Sequence, residues 1–305
     1  MARRRGWNMA FFLGPATLVI GLFFVVPVLI DIAISFTDMG RDLRITEFTT
    51  ANYERALGLG DTRPDRQLSG VIARTFFYVG ATLLIFNTTF GLVLALTTTA
   101  LPSGSGGFFR AVWLLPRISP SVIYAILWIW SIHGGETSLW NQVAMRLGAA
   151  GPMDLRQMQP MWVIIFANGF VGASFGMIIL TSAIRSIPEH LIHAARCDGA
   201  APLAITWHIV LPQLRWPFTY IAIWQTLSLM TSFEYILLIT GGGPFRATTV
   251  YAIFIFQRAF SASGQYAYGA ALAFFLIVPG ILMALLLWRL SNMRNLMQQP
   301  KIEVH

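Results

Sequence analysis

Met161 to Ile184 reads MWVIIFANGFVGASFGMIILTSAI, a run with no charged side chain and no alternation of apolar and polar residues. A helix crossing a hydrocarbon core about 30 Å thick needs about 20 mostly apolar residues. In lipid only helices and closed barrels satisfy their own backbone, and barrel strands alternate. The run therefore predicts a membrane-spanning helix. Working outward, five more stretches have the same character: Ala10–Phe36, Val71–Leu101, Phe108–Ile132, Phe218–Ile239 and Tyr266–Leu290. The expected fold class is all-α, a polytopic membrane protein with six transmembrane helices in a single transmembrane domain over 1–305.

Composition agrees. Of 305 residues, 56% are hydrophobic and 11% charged, and the mean hydropathy is +0.64. Soluble domains carry about 25% charged residues, so an ordinary soluble enzyme, a disordered chain and a disulfide scaffold are all excluded. Cys197 is the sole cysteine and forms neither an intrachain disulfide nor a Cys-rich metal site. A net charge of +8 would suit nucleic acid in a soluble chain. In one this apolar, basic residues mark the cytoplasmic membrane side, so lipid and not nucleic acid is the expected surrounding.

Arg3, Arg4 and Arg5 ahead of the first span suggest a signal peptide. The apolar run that follows far exceeds a signal core of about 7–15 residues and carries Pro15 and Pro27, so it reads as a retained helix. Six spans place both termini on one side. That side holds ten basic residues (Arg3, Arg4, Arg5, Arg110, Arg185, Arg196, Arg215, Arg289, Arg294, Lys301) against Glu189, Asp198 and Glu303. The other side holds nine basic and eight acidic residues, its arginines diluted along the loop at 37–70. Both termini are expected in the cytoplasm of a bacterial cell, with the chain in its inner membrane.

Three polar segments remain. The loops at 37–70 and 133–160 face outward, the first as a small folded cap of mixed charge. The third, 187–215, lies in the cytoplasm and reads helix, break, helix. Pro188 suits a helix start and Glu189 complements its dipole. Leu191, Ala194 and Ala195 make a short apolar stripe, Gly199 ends the helix, and a second piece runs to Pro212. A compact amphipathic helix at a membrane surface is suited to docking in another protein's groove; the alternative is a helix lying flat on headgroups.

This segment resembles the EAA loop of ABC importer permeases, with Ala194, Ala195, Asp198, Gly199, Ala200, Ile209, Leu211 and Pro212 at matching offsets. His193 stands where that family has its glutamate, so a contact through that anion is not available; Glu189 is the neighbouring acid. Thr240-Gly241-Gly242-Gly243-Pro244 resembles the outer-loop signature of carbohydrate permeases, and Phe109-Arg110-Ala111, Leu115-Pro116, Ser119-Pro120 and Trp128-Ile129-Trp130 resemble their third span. The resemblance is to maltose-type permeases and implies a type I importer fold. It also implies a second homologous permease, two cytoplasmic ATPase subunits that bind ATP and Mg, a periplasmic or lipid-anchored solute-binding protein, and a sugar or sugar derivative as cargo. On this resemblance Glu189, His193, Ala194, Ala195, Asp198 and Gly199 couple to the ATPase. By the same resemblance Asn168, Gly172, Gln225, Ser228 and Ser232 contact sugar, with Phe175, Trp224 and Phe233 as nearby aromatic platforms.

The chain itself carries no G-x-x-x-x-G-K-S/T phosphate loop, so no cofactor and no enzymatic step is expected of it. His190, His193, Cys197, Asp198 and His208 do not have the H-E-x-x-H spacing of a metal site. Four charges fall within spans: Asp31, Arg74, Arg117 and Glu234. Each is costly in hydrocarbon; the first three read as structural or interfacial. Glu234 reads as facing a pathway, beside the face shared by Gln225, Ser228 and Ser232. Interhelical hydrogen bonding is the other reading of those polar residues. Three competing functions are an ABC permease for a non-sugar solute, a stand-alone secondary transporter, and a membrane-embedded enzyme. The enzyme would need His190, His193 and Glu234, which the expected topology puts on opposite sides.

Overall fold

The computed structural model describes residues 13–60, 63–261 and 264–290. Arg3, Arg4, Arg5, Asp61, Arg294, Lys301 and Glu303, together with the start of the first span, lie outside the described residues. In chain order the helices are α1 (Leu13–Ser35), α2 (Ala51–Leu57), α3 (Leu68–Ala100), α4 (Ser103–Ile118), α5 (Ser121–Ile132), α6 (Leu139–Arg146) and α7 (Leu155–Met158). There follow α8 (Pro160–Arg185), α9 (Glu189–Cys197), α10 (202–213), α11 (Arg215–Thr231), α12 (Glu234–Ile239), α13 (Tyr251–Phe260) and α14 (Tyr266–Leu290). Among the described residues there is no strand, only an isolated antiparallel bridge between Thr37 and Phe48.

The spans α1, α3, α8 and α14 are long and apolar enough to cross a bilayer. The third expected span is not one straight helix: α4 and α5 meet at a 98° bend. The fifth is divided as well, into α11 and the short α12. Counting the bent pair as one crossing gives five by length and composition among the described residues, and the divided α11–α12 segment is not one of them.

The chain forms two compact units. One comprises the described residues of 13–68 and 254–281. In it α2 closes the outer loop: Tyr53 packs on Phe36 (4.9 Å between rings) and Phe274 (5.9 Å), and Asn52 Nδ2 donates to the carbonyls of Ser35 (3.1 Å) and Thr37 (2.8 Å). The folded cap expected over 37–70 is present, with Asp38 accepting from the Thr46 and Glu47 amides at 2.9 and 3.2 Å.

The other unit, 69–253 with 282–290 among the described residues, is built on the α3–α8 seam. Phe86, Phe90, Trp113, Phe166 and Phe170 form an aromatic cluster there, with ring separations such as 5.1 Å for Phe86–Phe166 and 5.2 Å for Phe90–Trp113. The helices approach this closely because Gly169, Gly172 and Gly176 line the facing side of α8: a Cβ on them would meet the Phe86 ring, the Asn87 side chain and the Asn87 carbonyl respectively. Here α3 is π-helical over Thr82–Phe90, a form that recurs at functional sites. A second cluster of Ala95, Leu180, Ile187, Val210, Leu214 and Ile221 anchors both ends of the 187–215 segment.

Candidate functional site

Two helix breaks meet in the larger unit. Ser119 is extended (φ −65°, ψ 137°) ahead of Pro120, whose ring disfavours helix at the residue before it, and α5 restarts at Ser121. Ser232 is likewise extended (φ −74°, ψ 114°) and α12 restarts at Glu234. The Ser121 hydroxyl donates to the Glu234 carboxylate, and Tyr124 meets Tyr235 edge-on at 5.6 Å. Glu234 sits in the first turn of α12, where a negative charge complements the helix dipole. Interrupted helices at membrane depth are tolerated where they are buried in protein or line a cavity, and they form the binding sites of many transporters.

The other expected pathway residues lie around this junction. Asn168 donates through Nδ2 to Ser232 Oγ (2.9 Å) and to the hydroxyl of Tyr78, which is wholly buried. The bond to Ser232 pins the second break to α8. Gln225 Nε2 donates to the Gly172 carbonyl at 3.2 Å; Gly172 itself is buried under Asn87. Ser228 and Glu234 are exposed and Ser232 is half-buried. The expected common face of Gln225, Ser228 and Ser232 is thus split: Gln225 turns into the α8 contact, Ser228 outward, and Ser232 falls beyond the end of α11. Trp224, exposed, stacks on Tyr220 (6.4 Å, 14°), which tilts over Phe175, and the Arg117 guanidinium lies 5.1 Å above Phe175. Tyr78 and Ser121 were not expected from sequence. Ser121 follows a visible Ser-Pro break, whereas Tyr78 sits in an apolar run without any marker.

At the other end, α9 has no buried residue. Glu189, His193, Ala194, Asp198 and Gly199 are exposed, and Ala195 and Ile192 turn inward, Ile192 packing on the second cluster. Gly199 adopts φ +78°, the left-handed conformation that ends a helix at low cost only in glycine, and the Ala200 amide closes the turn on the Ala195 carbonyl at 2.9 Å. The expected second piece runs past Pro212 to Gln213 and through Leu214 into α11, Pro212 following directly on the π-helical turn Thr206–Val210.

The Thr240–Pro244 loop is a self-bonded knot. Thr248 Oγ1 meets Thr240 Oγ1 at 2.7 Å and donates to the Gly243 carbonyl at 3.0 Å, while Thr249 Oγ1 donates to the Gly242 carbonyl at 3.0 Å. Arg74 is part of it, donating through Nε to the Thr249 carbonyl at 3.2 Å. These bonds bury Thr248 and Thr249 and leave Phe245 fully exposed at the tip.

The sequence profile of the family described as "Binding-protein-dependent transport system inner membrane component" matches residues 87–292. A probable ABC transporter permease protein of Pyrococcus horikoshii is 29% identical over 90% of this chain and 92% of its own. An alpha-glucoside transport system permease protein of Rhizobium meliloti is 26% identical over 92% of this chain and 81% of its own. The fold matches that of a bacterial alginate ABC transporter, crystallised in complex with an alginate pentasaccharide-bound periplasmic protein. That match has a TM-score of 0.76 and 22% identity, covering 95% of each chain.

Proposed function

The chain belongs to the family of binding-protein-dependent transport system inner membrane components, and from that premise we propose that it is the sugar-conducting permease subunit of an ATP-driven importer. It acts as one transmembrane domain with both termini in the cytoplasm. A second, similar permease encloses the pathway with it, two cytoplasmic ATPases bind and hydrolyse ATP, and an extracytoplasmic binding protein supplies the solute. A sugar-transporting relative supports the choice of cargo. So do the amide and hydroxyl groups of Asn168, Gln225, Ser228 and Ser232 beside the Trp224–Tyr220 stack, since sugars call for hydrogen-bonding groups placed against an aromatic surface.

The observation that carries the reading is α9: a helix with no buried residue, fixed at both ends of its segment to the core by Ile187, Val210 and Leu214. Glu189, His193, Ala194, Asp198 and Gly199 form the surface on which an ATPase docks, with the half-buried Ala195 behind it. Because α9 is joined directly to α8 and, through α10, to α11, a push on it displaces the helices that hold Asn168 and Gln225. Ser232 and Glu234 then change their partners at the break, and the two packings differ in which side of the membrane they expose. The protein makes and breaks no covalent bond; its ligands shift a population between two arrangements. The test is uptake: the permease pair with its ATPases, in proteoliposomes, should accumulate a labelled oligosaccharide only with ATP inside and binding protein outside. Accumulation driven by an ion gradient in the absence of the ATPases would refute the proposal.

A further inference from the structure

Asn87 lies within the π-helical part of α3, Thr82–Phe90, and is wholly buried. Neither its amide nitrogen nor its amide oxygen has a hydrogen-bond partner. The hydroxyl of Thr82, also wholly buried, is unpartnered too. Thr82 precedes Asn87 by five residues, the reach of one π-helical hydrogen bond. Elsewhere on α3 the helix satisfies its own threonines: Thr75, Thr97, Thr98 and Thr99 each donate to the carbonyl four residues back at 2.7–2.8 Å. On α3, then, the unmade bonds fall in the π-helical stretch. A buried donor or acceptor without a partner carries its full desolvation cost, and lipid supplies no water to offset it. A small apolar side chain would fill the same space without that cost, so packing gives no reason for an amide.

The side chain stands beside a second buried amide. Asn87 lies against Gly172 of α8, where a Cβ would otherwise project. The carbonyl of that same Gly172 accepts from Gln225 Nε2 at 3.2 Å. Gln225 is itself 5% exposed and belongs to α11, which packs on the same π-helical stretch of α3. Two buried amides, from α3 and α11, therefore converge on one residue of α8. Each carries both a donor and an acceptor, so they are able to pair reciprocally. Little stands between them and such a pairing. Gly91, Gly172 and Gly176 leave α3 and α8 in contact without side chains, and packed helices move past one another by small shear displacements.

We infer that Asn87 is a positioning residue of the transport cycle, unpaired in this packing and paired with Gln225 in the alternate one. There Gln225 Nε2 leaves the Gly172 carbonyl for Asn87 Oδ1, and Asn87 Nδ2 donates to Gln225 Oε1. The inference rests on the proposed importer reading, in which the chain alternates between two packings. The unmade bonds raise the energy of the packing described above and the new pair lowers that of the other, so both favour the transition. Asn87 acts through Gln225 and does not touch the solute.

The experiment uses the assembled importer in nanodiscs. Pulsed EPR distances between spin labels on the two permeases report the share of complexes that ATP with vanadate moves into the alternate packing. Asn87→Ala, Gln225→Ala and the double variant form a thermodynamic cycle. Asn87→Ala should lower that share several-fold in the wild-type background and leave it unchanged in the Gln225→Ala background. Its uptake rate should fall several-fold, with the half-saturating concentration of binding protein as in wild type. Without nucleotide, Asn87→Ala and the space-filling Asn87→Val should melt no lower than wild type, because they remove unmade bonds; a role confined to packing would lower both. Equal shifts in the two backgrounds, or lower melting of both Asn87 variants, would overturn the inference and leave the importer reading intact. A wild-type complex whose label distances ignore ATP would remove the importer reading and this inference together.

Discussion

Gly176→Ala tests the seam on which the proposed pathway residues are mounted. A Cβ at Gly176 would meet the Asn87 backbone carbonyl far inside contact distance, with the Gly91 Cα 3.5 Å away. Neither obstacle is a side chain that can rotate aside, so α3 and α8 must separate. Overpacking typically costs about 1–3 kcal/mol, and collision with backbone places this case at about 3. Alanine recovers about 1 kcal/mol of helix propensity over glycine, leaving a net loss of about 2 kcal/mol. At about 2–4 °C per kcal/mol for a unit of this size, the melting temperature in detergent should fall by about 4–8 °C. Gly80→Ala, on the same helix α3 with nothing within 4 Å of its Cβ position, is the control and should melt about 2–4 °C above wild type. Asn168 lies two helical turns before Gly176 on α8, so uptake should fall with the melting temperature. A Gly176→Ala protein that melts at or above wild type would refute the reasoning.

Gly199→Asp places a side chain where φ is +78°, loosening the α9 link at a strain of about 1–2 kcal/mol. The variant should insert at wild-type yield while receptor-stimulated ATP hydrolysis is lost. Glu234→Gln keeps an acceptor for Ser121 but removes the charge. Turning a hydrogen bond to a charged group (about 1.5–3 kcal/mol) into a neutral one (about 0.5–1.5 kcal/mol) costs about 1–1.5 kcal/mol, so the uptake rate should change about five- to tenfold without loss of complex assembly on gel filtration. In the outer cap, hydrogen bonds from Thr46 and Glu47 hold the Asp38 carboxyl down at about 2. Asp38 therefore stabilises the folded cap above its ordinary value of 3.8, and that contribution disappears as pH falls through about 2. Thr46→Val should move its titration back toward 3.8, as read by carboxyl carbon NMR.

Four spans were legible because each is a continuous apolar run, and so was the helix–break–helix course of 187–215, because Pro188, Gly199 and Pro212 punctuate it physically. The bend between α4 and α5 had a marker, Ser119-Pro120, but its 98° angle becomes visible only in the fold. The break at Ser232–Phe233 has neither proline nor glycine. It is held by tertiary contacts, Asn168 to Ser232 and Ser121 to Glu234, and helical periodicity carries no trace of them. The same applies to Gly172, Gln225 and Tyr78. Whether a small or polar residue in an apolar helix lines a path or packs a seam is decided by the facing helix, and Asn87 is the residue that faces Gly172.

The central claim is that α9 transmits force from a separate motor, and Cys197 at its end tests it most directly, being the sole cysteine and exposed. In native vesicles a short maleimide–benzophenone reagent attached to Cys197 should photo-cross-link it to the ATPase subunit, and an impermeant maleimide added from outside intact cells should leave it unlabelled. Labelling from outside, with no cross-link to the ATPase, would contradict the account.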